Sequence, residues 1–186
     1  MTQDEQFMAQ ALELARQAAA EGEAPIGCVI TRDGEIVGRG RNYRETGKTA
    51  LGHAELLAIE DACRTLGGWR LWQCRMYVTL EPCPMCAGAI INARIPTLIY
   101  GAKDPKAGSV DSVLSLFSLP FNHRPEVISG VMEAECGALL RDFFQEIRAR
   151  RKRQRQEITL PDLPEGREAP ADFVDKPDVS GYDNSL

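Results

Sequence analysis

Thr79-Leu80-Glu81-Pro82-Cys83-Pro84-Met85-Cys86-Ala87-Gly88-Ala89 joins a strand end to a helix start through two prolines and two cysteines. Upstream it is answered by Gly52-His53-Ala54-Glu55. Residues three apart share a helix face, so Cys83 and Cys86 can grip one ion from the start of a helix. Pro84 suits the first helical position, because its φ is preset and the N–H it lacks would be unsatisfied there. Cys83 is then the N-cap, and the positive helix end faces both sulfurs and favours thiolates. His53 and Glu55, two apart, fall on opposite sides of a regular helix, so they must straddle a helix beginning. Gly52 before them and the apolar Leu56, Leu57, Ala58 and Ile59 after them agree with that start.

His53, Cys83 and Cys86 make a three-ligand set for one Zn2+ per chain, with a fourth position left for water, the arrangement of a catalytic site. Zinc acidifies such a water, and Glu55 is the carboxylate placed to accept its proton. A structural zinc knot, or a CxxC redox pair with an unrelated histidine, is the competing interpretation. The missing fourth ligand, the glutamate two after the histidine and the prolines around Cys83 weigh against it.

With 186 residues the chain fits one domain and an appendage. No N-terminal stretch has the make-up of a signal peptide, and no apolar run approaches the roughly 20 residues that span a membrane. The expectation is a cytoplasmic protein without membrane contact, in which Cys28, Cys63, Cys74 and Cys136 are ordinary small residues. The net charge of −5 is unevenly spread. Residues 157–186 hold eight acids against Arg167 and Lys176, a net of −6 that leaves +1 for the rest. Arg148, Arg150, Arg151, Lys152, Arg153 and Arg155 form a basic run suited to phosphates, and equally to a solvated helix end.

In chain order, apolar residues at helical spacing predict a helix from Asp4 to about Ala20. Ile26 to Thr31 and Glu35 to Arg39 flank Asp33-Gly34 as an antiparallel hairpin. Asn42 to Leu51 reads as a loop, and a helix runs from His53 to Gly67-Gly68. Arg75 to Leu80 is a strand, Pro84 to Asn92 a helix, and Thr97 to Gly101 a strand parallel to the one before. Lys103 to Arg124 is long and functional in character, with a short helix expected within Val110 to Leu119. Glu126 to Val131 is the last strand and Glu133 to about Arg155 the last helix. The fold class expected is α/β, a five-stranded mixed sheet with helices on both faces and its site at one sheet edge. Residues 1–156 form the domain, and the acidic, proline-containing residues 157–186 are expected to be a disordered tail. Ala87, Ala89, Ile90 and Ile91 exceed what one helix face needs and suggest a second copy there, unless both sides are buried within one subunit.

H-x-E with P-C-x-x-C is the recognised signature of zinc-dependent nucleobase deaminases. With Pro25-Ile26-Gly27, Gly101-Ala102-Lys103-Asp104, Phe121-Asn122-His123-Arg124 and Asp142-Phe143-Phe144, the chain resembles the bacterial tRNA-specific adenosine deaminases of the cytidine deaminase-like superfamily, over about Thr2 to Arg150. The resemblance implies a three-layer α/β/α fold and a zinc-dependent homodimer that converts the wobble adenosine of a tRNA anticodon to inosine, typically in an arginine tRNA. By position it implies that Glu55 is catalytic and that Asn42, Asp104, Ile26, Ala54, Asn122, His123, Phe144 and Arg148 meet the anticodon stem-loop. Asn42 at a strand end, Asp104 capping a turn and Phe144 in a core are plainer roles for the same residues. Ser109-Val110-Asp111 departs from the more glycine-rich loop of the family.

A deaminase for a free nucleobase or nucleoside, of guanine or cytosine type, would share all the metal chemistry. A non-catalytic RNA-binding zinc module would not need Glu55.

Overall fold

The computed structural model describes residues 1–158. The chain divides into two compact units, one ending at Leu140 and the other beginning at Arg141. The first unit holds α1 (Gln3–Ala20), the hairpin β1 (Gly27–Arg32) and β2 (Glu35–Arg41), a single turn α2 (Arg44–Gly47), α3 (Ala54–Leu66), β3 (Cys74–Leu80), α4 (Pro84–Ala93), β4 (Thr97–Ala102), a 3-10 turn at Leu116–Ser118, and β5 (Glu126–Ser129). Helix α5 (Glu133–Ile158) starts in the first unit and continues in the second. The expected domain boundary at 156 falls inside α5, and the tail from 159 lies outside the described residues.

Local chemistry sets the elements where the sequence placed them. Thr2 caps α1 in a reciprocal capping box with Glu5. Asp33 and Gly34, at φ of 52° and 82°, make the left-handed two-residue turn that a right-twisted hairpin favours. Gly67 ends α3 in the left-handed conformation.

Five strands form one sheet in the order β2-β1-β3-β4-β5. β1 is antiparallel to both neighbours, while β3, β4 and β5 run parallel. Alternation along the strands sends Cys28, Ile30, Met76, Val78, Leu98 and Tyr100 into a core shared with Ala54, Ala58 and Ala62 of α3 and Ala87, Ile90 and Ile91 of α4. On the opposite face Phe7 of α1 packs on Tyr77, with ring centroids 5.2 Å apart, and the Tyr77 hydroxyl donates to Asp4 at 2.8 Å. Cys136 of α5 lies against Gly101 on this side. Helices therefore cover both faces in three layers. Among the described residues no helix is long and apolar enough to cross a membrane.

Two expectations change. The segment 42–51 contains α2, and 110–119 forms only the turn at Leu116–Ser118, because the backbone N–H groups of Val110, Asp111 and Ser112 all donate to the Glu81 side chain. Ala87, Ile90 and Ile91 are buried in the subunit's own core, while Ala89 is half-buried.

Candidate metal centre and active site

The topology gathers one edge of the sheet. β3 and β4 end there, leading into Cys83 and Asp104, and β2 ends there, leading into Asn42. β1 is antiparallel, so it begins there, just after Ile26.

The two helices that carry the expected ligands start at this edge. His53 is the N-cap of α3 and Cys83 the N-cap of α4, with Pro84 in its first turn. Close approach of α3 to the sheet fixes where His53 stands. Gly38 and Gly40 of β2 lie beneath the helix, and a Cβ added at Gly40 would meet the Ala54 carbonyl oxygen at 2.0 Å and the Ala58 nitrogen at 2.6 Å. Alanines at positions 54, 58 and 62 complete the contact.

His53 Nδ1 lies 3.6 Å from Cys83 Sγ and 3.5 Å from Cys86 Sγ, so it is the nitrogen that faces both sulfurs. One donor atom from each residue falls within 4.8 Å of the others. Zinc bond lengths to sulfur and imidazole, set at tetrahedral angles, give an S···N edge of about 3.6 Å. The three donors therefore fit one zinc ion in both chemistry and spacing. The thiols are electrically unlike. A hydrogen bond from Cys86 holds Cys83 down at about 4, and the same bond drives Cys86 far above the ordinary thiol range. The hydrogen bond with Cys83 raises His53. A cation held by these three residues would require both thiols to be deprotonated, so its binding would release a proton.

Glu55 sits in the first turn of α3, 4 % exposed, and burial raises its carboxyl above the ordinary value. Ala54, fully buried, lies between it and His53. Ile26 packs against the core and its carbonyl accepts from Asn42 N at 3.0 Å. Asn42 is 3 % exposed; its Nδ2 donates to Glu23 at 3.3 Å and its Oδ1 has no partner among the described residues. Asp104 is buried, and its Oδ1 accepts from Lys106 N and Ala107 N at 3.0 and 3.2 Å, so it does cap a turn.

Asn122 and His123 are not brought to this edge. β5 is parallel to β4, with Glu126 opposite Thr97, so the residues that precede β5 lie where β4 begins. His123 Nε2 is accordingly 2.7 Å from the Ile95 carbonyl, and Asn122 is exposed. Phe144, in edge-to-face contact with Phe143, and Arg148 lie on α5 in the second unit.

Sequence reasoning passed over two buried acids. Glu81 is 2 % exposed and accepts from Asp104 N, Val110 N, Asp111 N and Ser112 N at 2.8 to 3.1 Å, and from the Ser112 hydroxyl. Glu23 serves the 42–46 segment in the same way. The available signal was a carboxylate between apolar residues and a proline, at Leu80-Glu81-Pro82 and again at Glu23-Ala24-Pro25, where a buried acid must find donors.

Residues 1–102 match the cytidine and deoxycytidylate deaminase zinc-binding region. The chain belongs to this zinc-dependent deaminase family. A tRNA-specific adenosine deaminase of Bacillus subtilis is 47% identical over 160 residues, 86% of this chain and 99% of the relative. A structure from work on A-to-I editing by tRNA:A34 deaminases at the wobble position of transfer RNA superposes with a TM-score of 0.71 at 46% identity, covering 73% of this chain and 99% of that one. The guanine deaminase of Nitrosomonas europaea shares the fold at a TM-score of 0.60 and 26% identity, over 75% and 83% of the two chains. Within the family the chain falls with the tRNA-specific adenosine deaminases, and it is a zinc-dependent hydrolytic deaminase.

Proposed function

We propose that this deaminase converts the wobble adenosine, position 34, of a tRNA anticodon to inosine, typically in an arginine tRNA, working as a homodimer in the cytoplasm. The observation that carries the reading is the buried Glu55 carboxylate in the first turn of the helix that His53 caps, beside a His53, Cys83, Cys86 donor set of zinc spacing. Identity of 46% to a tRNA:A34 deaminase, against 26% to a guanine deaminase, favours RNA over a free base.

A zinc ion held by His53, Cys83 and Cys86 supplies the Lewis acidity that makes a water nucleophilic near neutral pH. Glu55 removes a proton from the water that attacks C6 of the adenine. It passes that proton to N1, then takes the second proton from the hydroxyl now on C6 and delivers it to the departing amino nitrogen, so that the C6–N bond breaks and adenosine and water become inosine and ammonia. Its burial raises its proton affinity, and its place in the first turn of α3, beside His53, lets one carboxylate serve all three transfers. The target base is cheap to extrude because an anticodon loop is single-stranded. Asn42, Ile26 and Ala54 line the nucleoside at the sheet edge, and Asp104 meets the target nucleotide and its neighbour. Asn122, His123, Phe144 and Arg148 contact RNA away from the reacting base.

Purified protein given an anticodon stem-loop, free adenosine, guanine and cytidine is expected to form inosine in the RNA and leave the free compounds unchanged. Turnover of guanine or cytidine at an efficiency equal to that on RNA would establish the free-base alternative. Glu55→Ala is expected to keep zinc and RNA binding and to lose about 10² to 10⁴ in rate, the usual worth of general acid and base catalysis.

A further inference from the structure

Glu23 stands outside the metal set, yet it is fully buried. A buried carboxylate is costly unless donors surround it, and among the described residues its hydrogen-bond donors come from one short segment, 42–46. Its Oε2 accepts from Asn42 Nδ2, Arg44 N and Glu45 N at 3.3, 3.0 and 3.2 Å, and its Oε1 from Thr46 N and the Thr46 hydroxyl at 2.7 and 2.8 Å. Burial alone would raise its pKa, but the four bonds from Thr46, Glu45 and Arg44 outweigh it and hold the group below its ordinary value. Glu23 is therefore ionised near neutral pH, and an ionised carboxylate offers no donor. It dictates that the NH2 of Asn42 faces it and that Oδ1 faces away. That Oδ1 is, among the described residues, one of three buried side-chain atoms without a hydrogen-bond partner, with Arg75 Nε and Arg148 Nη1. The segment is also tied to the metal edge. Tyr43 N donates to the Gly52 carbonyl at 2.8 Å, directly before His53, and a Cβ at Gly52 would stand 2.6 Å from the Tyr43 carbonyl oxygen.

We propose that Glu23 is the positioning residue of the nucleoside site, fixing through one charged hydrogen bond which way the Asn42 amide faces, and through the backbone of 44–46 where it stands. Glu23 touches no substrate itself. The proposal rests on the reading of Asn42 as a nucleoside contact, and the test separates the two.

Glu23→Gln keeps the size of the side chain but can present its own NH2 to Asn42, so the amide loses its single orientation. On an anticodon stem-loop RNA, the variant is expected to raise KM roughly tenfold, the scale of one charge-assisted hydrogen bond, with kcat within about threefold of the parent. Zinc should stay at one equivalent. Asn42→Ala should raise KM comparably, and Glu23→Gln added to it should cost less than about twofold more, because residues acting through one contact are not additive. If Glu23→Gln does not fold, Glu23→Asp, which keeps the charge but falls one methylene short, carries the same cycle. KM unchanged in Glu23→Gln while Asn42→Ala is impaired would overturn the role of Glu23 and leave that of Asn42 standing. The same loss from Glu23→Gln in both backgrounds would also overturn it. An unimpaired Asn42→Ala would remove the nucleoside contact itself, and the proposal with it, without touching Glu55.

Discussion

Cys86 shows at the scale of one residue why the site could be read before it was seen. Metal ligation restricts both residue type and spacing, so His53, Cys83 and Cys86 announce themselves in the sequence, and Glu55 follows from the histidine. Cys86→Ser replaces a buried sulfur 3.5 Å from His53 Nδ1 by a shorter, harder oxygen. It should lose tightly bound zinc on dialysis against a weak chelator, and a full equivalent retained would show that the ligand set is wrong. Leu80-Glu81-Pro82 marks Glu81 as a buried acid, but its partners were not legible, because four of them are backbone N–H groups that leave no mark on the side chains of 104–112. Burial works to raise its pKa, but the Ser112 hydroxyl and the backbone of Asp111, Ser112 and Asp104 outweigh it and hold it below the ordinary 4.5. A depressed folded-state pKa means that the unfolded chain binds the proton more tightly. The stabilisation is therefore complete above pH 4.5 and is lost as pH falls through the lower folded-state value. Glu81→Gln should lower the melting temperature at pH 7, since each buried donor left unpaired costs about 1–3 kcal/mol. The gap from the parent should narrow as pH falls below 4.5, and a gap that instead widens in acid would contradict a depressed pKa.

At the scale of elements, α1, α3, α4 and the β1–β2 hairpin were legible because period and caps agree in each. Hydrophobic spacing says helix, and Thr2, Gly67, Pro84 or Asp33-Gly34 says where it starts or turns. The 110–119 stretch misled because a side chain distant in sequence, Glu81, takes donors that a helix would have used. Gly38 and Gly40 were equally silent, since glycine in a strand reports weakness until the helix above it is known. Their purpose is spacing, and through spacing they act on the metal. Gly40→Ala puts a methyl 2.0 Å from the Ala54 carbonyl oxygen, a clash that only movement of α3 relieves. Overpacking of this kind costs about 1–3 kcal/mol, and the movement begins one residue from His53. Gly40→Ala is expected to lower both the melting temperature and the zinc affinity. Gly68→Ala, with nothing within 4 Å of the added carbon, should alter neither. Zinc affinity unchanged in Gly40→Ala would show that α3 does not carry the ligand's position.

At the scale of the whole molecule, the sheet order was not legible, because local pattern fixes the hairpin but does not say that β1 lies between β2 and β3. That placement gathers Ile26, Asn42, Cys83 and Asp104 at one edge from four separate stretches of chain. Charge is the other global property. An acidic protein must bind a polyanion through a local excess of cations, and the sequence provides one in Arg148 to Arg155 on α5. Arg150 and Arg151 are exposed and adjacent, so losing both removes charge without emptying a core. If the run binds phosphates, affinity for an anticodon stem-loop falls steeply with salt as counterions are released. Arg150→Ala with Arg151→Ala should then lower the slope of log affinity against log salt by about one for each cation lost. Binding measured from low to physiological salt gives that slope directly. At the lowest salt the parent should bind much more tightly than the double variant, and the curves should converge as salt rises, because the lost term is the screened one. A slope unchanged by the double replacement would make the run a solvated helix end whose cations complement the negative pole of α5, and would move the RNA contact elsewhere on the molecule.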